Sequence, residues 1–279
     1  TPPDTGLVPA TANAAGTINF IVGNDNSFQA GVGILTVNGT ILDQATGAQS
    51  IRKSNGGVLV LTNAGNTYDG ATVVNQGRVV LTTPGAASTS TISMDTASSR
   101  RGDIEFRGDG VGTLVYNNPV TTSGGGSTTT RAIVVGPNGP GSQDLTVQIP
   151  SLAINNAGGY TVGGTGSSAI YFDGSSGYRL EVTGAVTLTS SINLRTRGAM
   201  VTFSGVVGGA GNLEKHEQGT LVLSSANTYT GTTTISNGYL IAGDDQAFGN
   251  AASDIVFRNN VFSQILASGT RSISRNFTN

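Results

Sequence analysis

Cysteine and tryptophan are absent from this chain of 279 residues, histidine occurs once and lysine twice. Without cysteine there is no disulfide, no thiolate metal site and no cysteine nucleophile. The lone histidine, His216, has no second imidazole with which to share a metal. Charge is scarce too. Only 11% of residues are charged and the net charge is −2, against about 25% charged in average soluble chains. Neither nucleic acid nor an anionic membrane finds an electrostatic hold, so neither is an expected partner. No apolar run approaches the roughly 18 residues of a spanning helix. Ten-residue strands with aromatic girdles, the mark of a membrane barrel, are missing as well, so no membrane insertion by this segment is expected. The chain opens TPPDTGLVPA, without a methionine or an apolar signal core, which reads as a mature or excised segment.

What is present is glycine, 42 residues of it, with much Thr, Ser and Asn and 37% hydrophobic residues. The apolar residues are too many and too regularly placed for disorder. Their period is two. In GTLVLS, Leu221 and Leu223 share one face, Thr220 and Val222 the other. In DIEFR, Ile104 and Phe106 point one way, Asp103, Glu105 and Arg107 the other. Gly, Asn, Ser and Asp separate such strands and supply turns, since Gly and Asn tolerate positive φ. No stretch keeps an i, i+3, i+4 pattern, so almost no helix is expected.

The chain also repeats itself. IRKSNGGVLVLTNAGNTYDGATVVNQGRVV from 51 aligns with LEKHEQGTLVLSSANTYTGTTTISNGYLI from 213. Lys53 meets Lys215, Gly57 meets Gly219, and Leu59 and Leu61 meet Leu221 and Leu223. After a one-residue insertion at Gly65, Asn66 and Tyr68 meet Asn227 and Tyr229, and Gly70 and Gly77 meet Gly231 and Gly238. GDIEFRGDG at 102–110 resembles SDIVFRNNV at 253–261 and gives a second echo. The expected organisation is a linker or N-terminal extension over 1–13, then one continuous solenoid over 14–279. That solenoid would contain one long unit (about 33–197) and the start of another (about 198–279), an excerpt of a longer protein.

Short strands also build sandwiches and barrels, but repetition at this scale marks stacked coils. The inward residues are mostly Leu, Val and Ile, and aromatics make up only 6%, whereas sandwiches centre on a large aromatic cluster. A single coil of about 20 residues burying four or five aliphatics gains roughly 1.5–3 kcal/mol for each. Ordering its backbone costs about 1–2 kcal/mol per residue, so coils are stable only when stacked. With strands about 4.8 Å apart, roughly 11–14 coils would make a rod of about 55–65 Å. Leu59, Leu61, Leu221, Leu223, Ile235 and Leu240 are expected to point inward.

GAGNLEKHEQGTLVLSSANTYTGTTTISNGYLIAG at 209–243 resembles the β-strand repeat of bacterial autotransporter passengers, the passenger-associated transport repeat. That pattern runs G-x-G-x-L-x-K-x-G-x-G-T-L-x-L-S-G-x-N-T-Y-x-G-x-T-x-V-x-x-G-x-L. The match is dense from Gly209 to Gly243 and looser from Ile51 to Leu81, about a quarter of the chain in all. Asn55, Glu217 and Ser225 stand where the family prefers glycine, Gly65 is inserted, and Thr234-Ile235 replaces the usual Thr-Val. The resemblance implies an all-β, right-handed parallel β-helix that is secreted and exposed at the bacterial cell surface.

A single active site needs its residues once, so the paired residues Lys53/Lys215, Asn66/Asn227 and Tyr68/Tyr229 read as scaffold. The asparagine is expected to bond its own turn and the tyrosine to cover the edge of a coil. His216, in the charged stretch LEKHEQG, reads as a solvated loop residue. Asp103 and Glu105 would suit paired-carboxylate chemistry, but Arg107 neutralises them and Val256 replaces the glutamate in the second echo. Asp244-Asp245 and RGDG at 107–110 read as turns, not calcium sites. GPNGPG at 136–141 and GGTGSS at 163–168 lack the Lys-Ser/Thr of a phosphate loop. No catalytic, cofactor or metal residue is therefore assigned, and no enzyme activity is expected.

Three classes of function remain. One is a surface rod that displays or adheres, with a host-surface or matrix ligand. The second is a self-assembling filament or coat subunit, and the third a β-helix polysaccharide lyase or hydrolase. Solenoid ends expose unpaired strand edges, so end-to-end self-association is expected, with Ile255, Phe257, Phe262 and Ile265 as contributors.

Overall fold

The computed structural model describes residues 16–23, 33–43, 47–95, 101–123, 130–155, 169–250, 252, 254–258 and 262–279. The N-terminal stretch 1–13 and GGTGSS at 163–168 lie outside them. The described residues contain strands and turns and no helix, hence none long and apolar enough to cross a membrane.

The short period-two segments stack into three sheets in which every named strand pair is parallel. The first sheet has eight strands, from Gly16–Ile21 to Val207–Gly209. The second has eleven, from Ile34–Val37 to Phe277–Thr278, and the third has seven, from Thr113–Val115 to Ser263–Ala267. Successive strands belong to different sheets, and each pairs with the strand one coil on: Thr72 with Ile92, Val186 with Val207, Thr233 with Ile255. This is a parallel β-solenoid. Eleven strands in the second sheet at about 4.8 Å spacing make a stack of about 48 Å from first strand to last, the low end of the roughly 11–14 coils expected from the chain's length. Some coils are longer than 20 residues: Val120 pairs with Leu152, and Leu152 with Val186.

The core is one continuous column of aliphatics with a few rings. Leu59, Leu61, Leu221, Leu223, Ile235 and Leu240 are all fully buried within it, as their alternation requires.

The two copies of the repeat share a local fold but not a position around the axis. In the first, Gln49–Ser54 lies in the first sheet and Val58–Leu61 in the second; Thr72–Val74 and Gly77–Leu81 repeat that order. In the second copy, Leu213–His216 lies in the second sheet and Thr220–Leu223 in the third, and Thr233–Ile235 and Gly238–Ala242 follow suit. The motif has moved round by one face of the solenoid. Its Asn-Thr-Tyr loop occupies the remaining face. In the second copy that loop extends the ladder of the first sheet beyond its last strand, with Thr228 N donating to Val207 O and Thr230 N to Gly209 O, both at 2.9 Å. In the first copy it precedes the start of the third sheet at Thr113–Val115.

Register also corrects the second echo. Gly77 pairs with Gly102, and Gly238 with Ser263. Thr72 pairs with Ile92, and Thr233 with Ile255. So Ile255–Phe257 corresponds to the strand at Ile92, not to Gly102–Arg107. The counterpart of Glu105 is Leu266, not Val256. Gly102–Arg107 and Ile255–Phe257 share letters around a buried isoleucine, and only the ladder tells them apart.

Candidate functional site

The turn that follows the repeat lysine is built the same way twice. Lys53 Nζ donates to the carbonyls of Ser54 (2.7 Å), Asn55 (2.6 Å) and Gln76 (3.2 Å). Lys215 Nζ donates to those of His216 (2.9 Å), Glu217 (2.7 Å) and Asn237 (2.9 Å). Burial lowers the two ammonium groups, to about 8 at Lys53 and to about 7 at Lys215, where Glu217 pulls the other way. Asn55 and Glu217 take φ of 64° and 66°, the left-handed region that favours glycine. The sequence departs from the family pattern where the backbone most wants glycine.

The paired asparagines do not bond their own turns. Asn66 Oδ1 accepts from Ile41 N at 2.7 Å and its Nδ2 donates to Ala86 O at 2.7 Å. Asn227 does the same between Val207 N (2.7 Å) and Ala247 O (2.6 Å). Each side chain clips three successive coils, accepting from a backbone N–H on one side and donating to a C=O on the other, groups that need partners when buried. Asn118 plays a related part, donating to Ser90 O at 2.8 Å, and nothing in its NNP setting marked it. Tyr68 and Tyr229 lie inside the core, not at a coil edge. Their hydroxyls meet Thr72 at 2.8 Å and Thr233 at 2.5 Å, which lets a ring with one polar atom be buried whole.

The charged side chains gather on the outward side of the second sheet. Arg78, Asp103, Ala132, Tyr171, Arg195 and His216 stand in one row across consecutive strands. Arg101 Nε reaches both oxygens of Asp103 at 2.9 Å, and the Ala132 amide donates to it at 2.8 Å. Burial pushes the Asp103 carboxyl up from its ordinary range, against the pull of Arg101, Arg78 and that amide. Arg78 and Arg107 hold Glu105 at 3.0 and 2.6 Å, Arg197 grips Asp173 through two 3.0 Å bonds, and Arg195 meets Glu217 at 3.1 Å. Three of these guanidinium groups surround the Tyr171 ring, 4.8 Å (Arg197), 5.4 Å (Arg195) and 5.9 Å (Arg101) from its centre.

The face is chemically saturated. Asp103 and Glu105 are each engaged by arginine, which leaves no free nucleophile beside a free acid. His216 is not a solvated loop residue: it ends a strand, with Nε2 2.8 Å from Glu214 Oε1. Ser236 Oγ donates to that same oxygen at 2.5 Å. A nucleophile relay would put the imidazole between hydroxyl and carboxylate; here the carboxylate stands between the other two. Asp244 and Asp245 accept from the amides of Gln246 (2.8 Å) and Ser272 (3.1 Å). Asp109 accepts from Asn138 and Gly139 at 3.0 and 3.4 Å, which ties the 107–110 turn to the 136–141 turn one coil on. Among the described residues no three metal-competent side chains converge.

These features define a class: a parallel β-solenoid segment whose shared residues serve coil stacking and whose charges are paired along one face. The passenger-associated-transport-repeat family matches residues 51–81 and 213–242, the two copies just described. Over 83 residues, 29% of the chain, the sequence is 41% identical to the adhesin BmaC autotransporter of Brucella suis biovar 1 (strain 1330). That match covers only 2% of the relative's length. No solved structure matches the chain. The chain thus carries two passenger-associated-transport repeats and is similar over part of its length to an autotransporter adhesin.

Proposed function

We propose that this segment is an adhesive and structural part of a secreted bacterial cell-surface protein. It acts as a stretch of β-helical rod that carries binding surfaces away from the cell and has no reaction of its own. The observation behind this reading is the coincidence of the two repeats with two stacked coil pairs in a chain 41% identical, over 83 residues, to an autotransporter named as an adhesin. The saturated carboxylates and the displaced order Ser236–Glu214–His216 support the non-catalytic part. The test is display of the segment on a non-adherent bacterium. Adherence to host cells or matrix, with the segment accessible to antibody on intact cells, is the expected result. Adherence equal to that of cells without the segment overturns it, and turnover of a polysaccharide abolished by one Asp or Glu substitution would restore the enzyme class. A second proposal concerns partners. The coil carrying Ser263–Ala267 and Phe277–Thr278 leaves Leu266 and Phe277 exposed. We propose that further solenoid, from the same protein or from a second copy, stacks on it.

A further inference from the structure

The two repeats are an internal control. What they share is scaffold, and what differs at equivalent positions is open to another use. Three positions around one turn change character completely. Gly56, Arg78 and Arg101 of the first copy correspond to Gln218, Tyr239 and Phe262 of the second. Backbone bonds fix the correspondence: Gly77 N donates to Arg101 O and Gly238 N to Phe262 O, both at 2.9 Å. In the first copy the two arginines clamp Asp103 and Glu105, and Val80 among them is only 3% exposed. In the second copy the carboxylates are replaced by Gln264 and Leu266, whose strand pairs in the same register. Tyr239 is 40% and Phe262 58% exposed. With Gln218 and Gly238 they line a concave pocket of about 330 Å³ on the outside of the solenoid.

We propose that this pocket binds a neutral saccharide. Two aromatic side chains on a wet surface offer flat apolar faces with a polar tip at Tyr239, which suit the C–H faces of a sugar ring. The Gln218 amide supplies one acceptor and two donors for hydroxyl groups. The lining residues carry no formal charge, so nothing here favours a sulfated or carboxylated sugar. The volume lies at the small end of ligand pockets, about 300–1,000 Å³, which is room for one or two sugar rings and too little for a lipid chain or a helix. Exposed apolar surface framed by polar atoms is the form a binding site takes on a soluble face. The inference rests on the surface-segment reading and gives it a ligand class.

The experiment is a ¹H–¹⁵N titration of the whole segment with methyl β-galactoside, methyl α-mannoside, N-acetylglucosamine and cellobiose, and with glucuronic acid as the anionic control. Saturable shifts at Gln218, Gly238, Tyr239 and Phe262 with at least one neutral sugar are expected. The double substitution Tyr239→Arg with Phe262→Arg, which imports the first copy's residues, should weaken binding about tenfold or more while the far-UV circular dichroism stays unchanged. Should that variant not fold, Tyr239→Phe and Phe262→Tyr keep the rings and should retain binding. Absence of saturable shifts in the millimolar range overturns the proposal. So do shifts that map to the ion-paired face around Tyr171, and shifts that follow protein concentration without sugar, which would make the pocket a self-contact. A displayed segment that adheres yet leaves all four neutral sugars untouched loses the pocket and keeps the surface role.

Discussion

Lys53 and Lys215 hold ammonium groups inside a turn where only backbone carbonyls can receive them. Replacing Lys215 by Met leaves three partly buried acceptors without their donor, at a total cost of about 1–3 kcal/mol; urea unfolding should show the loss, and Lys53→Met should show it too. The pH dependence follows from two groups of residues. In the unfolded chain lysine releases its proton near pH 10.4, but in the fold at about 8 and about 7. Between those values the unfolded state binds more protons, so stability rises with pH from about 7 towards 10. Burial holds the hydroxyls of Tyr68, Tyr116, Tyr178 and Tyr229 protonated beyond the usual range, Tyr68 to about 12. Above about pH 10 the unfolded chain therefore loses protons that the fold retains, and stability falls. Thermal unfolding should show a maximum near pH 9–10; a steady decline from pH 7 would contradict the lysine argument, and no fall above about pH 10 would contradict the tyrosine one. Glu217 offers a further check. At φ 66° a non-glycine residue costs about 1–2 kcal/mol, while its partly exposed ion pair with Arg195 contributes at most about 1 kcal/mol. Glu217→Gly should leave stability unchanged or slightly raised, and a loss beyond 1 kcal/mol would mean the ion pair matters more. The doubled lysines, asparagines and tyrosines were readable as scaffold because they recur. Their partners were not, since both side-chain bonds of Asn227 run to residues 20 positions away in the neighbouring coils, a distance only stacking defines.

At the scale of the element, the repeat succeeds because its glycines sit where two coils touch. Gly77 and Gly238 have φ of 78° and 79°. A side chain at Gly238 would run into the carbonyls of Glu217 and Gly219 and lie 2.7 Å from Lys215 Nζ; one at Gly77 would meet the carbonyls of Gly57 and Asn55 and lie 2.8 Å from Lys53 Nζ. Gly112, at φ 85°, has open space around it. Gly112→Ala should cost only the left-handed penalty, about 1–2 kcal/mol. Gly238→Ala must in addition displace two carbonyls and should cost clearly more. Equal losses for the two in denaturant unfolding would show that the close approach is softer than the backbone implies. Alternation exposed the inward leucines because period two is a local property. The choice of sheet was hidden, because Val58–Leu61 and Thr220–Leu223 carry nearly the same pattern yet belong to the second and third sheets. What sets the face is the number of strands laid down in the coils before each copy. For the same reason, the pocket at Tyr239 and Phe262 was invisible to a reading that paired Ile255 with Ile104.

For the whole molecule, stability in a solenoid is close to a sum of coil terms and nearest-neighbour interfaces, so position along the stack decides how firmly each coil is held. Strands such as Ala169–Gly174 pair on both sides, with Thr130–Gly136 and Ile192–Arg197. Among the described residues Ser263–Ala267 pairs with Gly238–Ala242 alone and so has one open edge there. Of the four residues first assigned to a stacking contact, Ile255 is fully buried, and Phe257 and Ile265 pack partly against the core. Phe262 lines the pocket beside Tyr239, and the apolar surface left uncovered at this end belongs to Leu266 and Phe277. An open strand edge next to exposed apolar side chains favours another parallel strand, and a contact of this head-to-tail kind propagates when its rotation does not close. Hydrogen exchange separates the cases. At low protein concentration the amides of Ser263–Ala267 should exchange far faster than those of Ala169–Gly174. If solenoid stacks on solenoid in trans, protection of Ser263–Ala267 should grow as concentration rises, with little effect of salt, because the surface is apolar and the ladder uncharged. Protection that stays low at every concentration, in a segment that sediments as a monomer, would mean that this coil is not covered by a second copy, and the assembly proposal would fall.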